Sequence, residues 1–226
     1  MNFNHVKLSE LDFELEAVTT ENGRWYTTPQ GNVYPSITTV LSSYNKGAIQ
    51  EWRQSVGEEV ANKISKKAAD RGTKLHAVCE DYLNNKLTPL RMQTMMPDTK
   101  SLFLQLRPFI DKNIGDVYAI EQPLYSDRLK VAGRVDLIAY WNGALSIIDY
   151  KSSTKEKNED WIQNYFLQCS AYAEMFGEIT GREISQIVVA IAVEDGMPQI
   201  FTKQKVNYLP TLNEFVGNYH TNLLTV

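Results

Sequence analysis

Two strand-like runs, "GRVDLIAYW" at 133–141 and "ALSIIDYKSS" at 144–153, each carry one carboxylate in an otherwise apolar stretch, Asp136 and Asp149. The Asn142-Gly143 pair between them is a hairpin signal. A two-residue loop there sets Asp136 directly opposite Asp149, on one face of neighbouring strands. Like charges so opposed destabilise a sheet. A hard divalent cation such as Mg2+, which takes carboxylate oxygens, relieves them. Lys151, two residues beyond Asp149, points to the same face and can offer its charge to a phosphate oxygen or an attacking water. The plainer alternative is a solvated strand end with a chance cluster of charges. Val135, Ile147 and Ile148 speak against it, because they put these strands in a core.

His76 and Glu80 form a second pair, four residues apart and so on one helical face. A half-buried histidine bonded to a carboxylate is the competing reading. Gln168 and Tyr172 share the same spacing on the helix after the second strand. Lys63, Lys66, Lys67, Arg71 and Lys74 make a basic run that, at about 100° per residue, centres roughly 150° from His76. It reads equally as a solvated face or as an entry path for a wrapping strand. Trp52, Arg53 and Tyr44 could stack unpaired bases, or belong to the core.

The elements that position these residues are legible from periodicity. "FELEAVTT", Asn22-Gly23 and "RWYTT" read as an N-terminal hairpin, and Ser36 as the N-cap of a short helix. Residues 47–82 have a helical pattern, with 58–84 as one long helix through Gly72. Ala61, Ile64, Ala68, Leu75, Cys79 and Tyr82 fall in a sector roughly 60° wide. A further helix covers 97–113, kinked or interrupted at Pro108. Strands follow at 116–126, 129–141 and 144–151, then a helix at about 161–176. "SQIVVAIAV" reads as a buried strand, "PQIFTKQKV" as its hairpin partner and 209–224 as a closing helix. The expected fold is α/β, a mixed central sheet flanked by helices with an N-terminal helical segment. One domain is expected over 1–226, with 1–46 the hairpin and short helix, 47–115 the helical segment carrying His76, and 116–226 the catalytic sheet and its helices.

Composition excludes several classes. At 43% hydrophobic and 22% charged, the chain is ordinary for a folded domain and unlike a disordered one. No apolar stretch approaches the length of a membrane span, and the start "MNFNHVKLSELDFELE" is no signal peptide. Two cysteines, Cys79 and Cys169, supply neither a disulfide framework nor a four-cysteine iron–sulfur site. The expected compartment is therefore cytoplasmic, that of the host cell if the chain is phage-encoded. A net charge of −4 argues against nonspecific coating of nucleic acid. The phosphate-loop pattern of nucleotide-driven enzymes is absent, so no nucleotide cofactor is expected.

Asp136, twelve intervening residues and then Asp149-Tyr150-Lys151 resemble the PD-(D/E)xK nuclease core. "RGTKLHAVCEDYL", "GRVDLI", "IIDYKSS" and "QCSAY" resemble successive motifs of its RecB-type branch. Within that branch the chain is most similar to the mitochondrial genome maintenance exonuclease family and its phage relatives, as are "YPSITTVL" and the "WR" at 52–53. The resemblance runs from about 34 to 176. It implies that His76, Asp136, Asp149 and the Tyr150 carbonyl bind Mg2+ or Mn2+, and that Lys151 is the catalytic lysine. It also implies that Glu80, Ser153, Gln168 and Tyr172 line the site or hold DNA, with Arg71, Trp52 and Arg53 as further DNA contacts. Glu121 lies near a position where such nucleases carry another acid, though a surface strand glutamate explains it as well. The chain departs from the members that carry an iron–sulfur cluster. The expected activity is that of a metal-dependent DNA exonuclease acting on single-stranded ends. A PD-(D/E)xK endonuclease of restriction or junction-resolving type, and an inactive nuclease-like binding protein, are the alternatives.

Overall fold

The computed structural model describes residues 2–223. Its centre is a five-stranded sheet of β4 (Ile114–Ser126), β5 (Val131–Trp141), β6 (Ala144–Ser153), β7 (Gln186–Val193) and β8 (Gln199–Gln204), in that spatial order. β6 and β7 run parallel and the other neighbours antiparallel, so the sheet is mixed as expected. The parallel step is the crossover through α6 (Gln163–Thr180), the connection a parallel pair requires. β1 (Glu16–Thr20), β2 (Gly23–Thr27) and β3 (Val33–Pro35) form a separate small antiparallel sheet.

Two apolar layers hold the central sheet. On one face α6 packs with α1 (Ile37–Ser43) and α7 (Leu209–Leu223), burying Val135, Ile138, Ile147, Phe166 and Phe176. On the other, α3 (Glu58–Leu83) and α5 (Pro97–Asn113) bury Leu75, Cys79, Phe103 and Leu106 against Leu137, Ile148 and Tyr150. Ser36 caps α1, its hydroxyl accepting from the Thr39 amide at 3.0 Å. No described helix is long and apolar enough to cross a membrane.

Several expectations shift. α3 is the single long helix foreseen, but only Ala61, Leu75, Cys79 and Tyr82 of the apolar sector are buried. Ile64 and Ala68 are exposed, because the first half of the helix extends off the sheet. α2 (Lys46–Val56) buries no residue. α5 is uninterrupted at Pro108; Leu104, whose carbonyl loses its partner there, is on the exposed side, where water can replace it. The first hairpin turns at Glu21-Asn22 instead of Asn22-Gly23, since Thr20 pairs with Gly23. A short α4 (Pro89–Thr94), capped by Thr88, lies between α3 and α5 within the expected helical segment. Leu224, the last residue of the expected closing helix, lies outside the described residues.

Candidate active site

The β5–β6 hairpin has the register that Asn142-Gly143 implies, with Trp141 opposite Ala144 and Leu137 opposite Ile148. The ladder stops there, one step short of Asp136 and Asp149. Asp136 Oδ2 accepts from the Tyr150 amide at 2.8 Å, so a side chain takes over where backbone pairing ends. Its other oxygen, Oδ1, lies 3.5 Å from His76 Nδ1. Glu121 Oε1, from β4, lies 3.6 Å from the same nitrogen. His76, Glu121 and Asp136 thus bring three ligand atoms within 4.8 Å of one another. The glutamate that could have been a surface residue sits inside the cluster.

His76 reaches the cluster from α3. Its Nε2 is 2.7 Å from the Tyr150 carbonyl, which can only accept, so Nε2 carries the proton and Nδ1 is the nitrogen facing the acids. Burial works to lower the affinity of His76 for a second proton. The Glu121 contact and the charges of Asp136 and Asp149 outweigh it and raise the pKa to about 9. Asp136 is pushed up to about 7, first by burial and then by the Asp149 charge. The concentration of carboxylates therefore demands positive charge, and imidazolium and ammonium supply it here. One imidazole nitrogen with two carboxylates is a donor set that could hold a divalent metal ion. The Tyr150 carbonyl, expected to face a metal, is instead occupied by His76 in this arrangement.

Asp149 is buried on β6, and its charge is met by Lys151. The ammonium straddles the carboxylate, 2.6 Å from Oδ1 and 2.5 Å from Oδ2. The Lys151 ammonium also lies 5.2 Å from the Tyr165 ring centre, within cation–π range. Burial opposes the lysine's charge, but Asp149 and Asp136 overcome it and hold the pKa above its usual value.

A Cβ at Gly133 would lie 2.7 Å from Tyr172 Cε1, so glycine is what lets Tyr172 of α6 seat on β5. Gln168 Nε2 donates to the Tyr172 hydroxyl at 3.3 Å, and both are buried behind the site. Arg134 Nη1 donates to the Glu121 carbonyl at 2.6 Å. That contact steadies a glutamate with φ +49 in the middle of a strand. Arg134 and Tyr165 carry no spacing signal that would single them out from the sequence.

The other expected residues divide. Glu80 lines an open cleft of about 510 Å3 with Arg24, His76 and Glu121. Arg71 Nε donates to Ser152 Oγ at 3.1 Å and its Nη1 pairs with Glu194 at 3.2 Å, next to Lys151 in the chain. Ser153 accepts from the Lys155 amide and donates to its carbonyl, which shapes the loop beyond β6. Arg53 is spent on Glu58 and Asn62 at the α2–α3 junction, and no contact brings it or Trp52 to the cluster. Tyr44 stacks on Phe215, ring centres 4.0 Å apart, and is not free for a base. The basic run lines a separate groove of about 280 Å3 in which Asp70, Asp98 and Glu194 offset its charge.

Comparison with known families decides the affiliation. The sequence model of the PD-(D/E)XK nuclease superfamily matches residues 98–210, half of the chain. The chain belongs to this superfamily. The matched segment contains Glu121, Asp136, Asp149, Lys151, Gln168 and Tyr172, while His76 lies outside it. The mixed sheet with helices on both faces is the PD-(D/E)XK fold. Human mitochondrial genome maintenance exonuclease 1 is 26% identical over 182 residues, which cover 75% of this chain and 52% of that protein. The chain thus spans about half of that relative's length. A crystal structure from Eubacterium rectale, described as a candidate exonuclease, aligns at 14% identity with a TM-score of 0.47, covering 68% of this chain and 66% of that one.

Proposed function

We propose that residues 1–226 form one nuclease unit that hydrolyses DNA phosphodiesters with Mg2+ or Mn2+, working from the free end of a single strand. The observation that carries this reading is the convergence of His76, Glu121 and Asp136 within 4.8 Å, beside the Asp149–Lys151 pair. Such a centre can hold a divalent cation, and the Asp149–Lys151 pair beside it can meet a phosphate. His76, Glu121 and Asp136 would hold the ion, with Asp149 nearby. A bound ion supplies Lewis acidity and a water of lowered pKa. The chain's own groups do the rest. Lys151 presents a fixed positive charge for the phosphate, and Asp149 keeps it charged and aimed. Arg134 fixes the Glu121 backbone, and Tyr172 braces β5 from behind. Glu80 and Arg24 line the mouth through which substrate enters, and Arg71 lends charge at the end of β6.

The choice of exonuclease over endonuclease is supported by the name of the human relative and by the helical segment. α2 buries no residue, and α3, the helix that carries His76, leaves Ile64 and Ala68 exposed in its first half, a surface that could enclose a strand. The two buried free cysteines support an intracellular location. Linear and covalently closed circular single strands of one sequence separate the two readings. In Mg2+ the linear strands are degraded and the circles survive. Circles nicked as fast as linears are shortened would make the protein an endonuclease with an open cleft.

A further inference from the structure

Trp161 is the most exposed large apolar side chain among the described residues, at 77%. The other three tryptophans are buried or half-buried. Its backbone is not loose. It sits in a 3-10 turn, Glu159–Ile162, whose start is capped by Asn158 and whose end is anchored by buried Ile162. The Trp161 amide donates to the Asn158 carbonyl at 3.0 Å. Lys203 reaches Glu159 at 2.6 Å, and Gln163 Nε2 donates to the Glu159 carbonyl at 3.0 Å. The fold pins this turn and leaves its indole in water.

Place gives the exposure a meaning. Tyr165 follows four residues later, about one helical turn on, and its ring lies 5.2 Å from the Lys151 ammonium. Trp161 therefore stands one turn from the tyrosine that touches the proposed catalytic lysine. We infer that Trp161 is a stacking platform for an unpaired base flanking the scissile phosphate, and so a determinant of single-strand preference. Aromatic side chains take any base by its π-face, whereas a base within a duplex has both faces covered. The inference rests on the nuclease reading above and adds the residue that selects the strand.

The test uses Asp149→Asn protein as a cleavage-silent background and compares an oligothymidylate with an abasic strand of equal length. Trp161→Ala should weaken thymidylate binding by about tenfold, in line with loss of one base stack, and should not weaken abasic binding. Trp161→Phe, which keeps a ring, should bind within about threefold of the parent. It should also lose the indole quenching that accompanies thymidylate binding. The inference is overturned if Trp161→Ala binds thymidylate as the parent does, or loses the same factor on both strands. Cleavage of single strands by the unaltered chain, with either of those results, removes the platform and leaves the nuclease. A chain that neither binds nor cuts them removes both.

Discussion

Glu121 holds a left-handed backbone, φ +49, inside an otherwise extended strand, a conformation that costs an L-residue about 1–2 kcal/mol. Its side chain adds a second carboxylate near Asp136, so nothing in the fold beyond the His76 contact recommends a glutamate there. The cluster does. Glu121→Gly should therefore keep or raise stability, by up to about 1 kcal/mol, while reducing cleavage severely. Denaturant unfolding beside an activity assay checks this; a destabilised glycine variant with normal activity would contradict it. The pH dependence follows from two neighbours. Burial and then the Asp149 charge raise Asp136 from 3.8 to about 7. His76 rises from 6.5 to about 9, burial opposing and Glu121 and Asp136 prevailing. Both folded values exceed the unfolded ones, so each group's stabilising contribution is full below its unfolded value. It is lost as pH rises through about 7 for Asp136 and about 9 for His76. The metal-free protein should lose thermal stability from pH 6 to 9, and Mn2+ should restore most at the alkaline end, where it no longer competes with protons. A flat metal-free profile would contradict the charge balance described for the cluster.

At the scale of elements, β5 is placed by the seat that Gly133 offers Tyr172. Gly133→Ala puts a methyl 2.7 Å from Tyr172 Cε1, and overpacking of this kind costs about 1–3 kcal/mol. The displaced strand carries Asp136, so cleavage should fall with stability; an alanine variant as stable as the parent would show that β5 is held otherwise. Elements set by local rules were legible in the sequence. Asn142-Gly143 determined the β5–β6 register, Ser36 the start of α1, and the apolar period the length of α3. What depended on distant partners was not. No local signal says that α3 meets the sheet only beyond Ala68, that Glu121 turns inward, or that Tyr44 meets Phe215. The register expected to set Asp136 opposite Asp149 holds as far as Leu137 and Ile148. That the ladder ends one step earlier, with Asp136 bonded to the Tyr150 amide, is a tertiary fact.

At the scale of the molecule, a net charge of −4 is compatible with a nuclease because Glu121, Asp136 and Asp149 lie where a cation can use them. Basic groups border that site: Lys151 within it, Arg71 at the end of β6 and Arg24 at the cleft. α3 joins the two regions, packing its second half on the sheet and sending its first half outward with α2. The proposed activity of the centre built from β4, β5, β6 and α3 is hydrolysis of DNA with a divalent cation. Cleavage of an end-labelled linear single strand by the unaltered chain and by Asp149→Asn, with Mg2+ or with EDTA, tests it most directly. The unaltered chain should cut in Mg2+ and stop in EDTA. Asp149→Asn should fall by about a thousandfold or more, as expected when a group at the reacting centre is lost, while remaining folded. Cleavage by Asp149→Asn within about tenfold of the parent, at about 1.4 kcal/mol too small a loss for such a group, or cleavage indifferent to EDTA, would contradict the account.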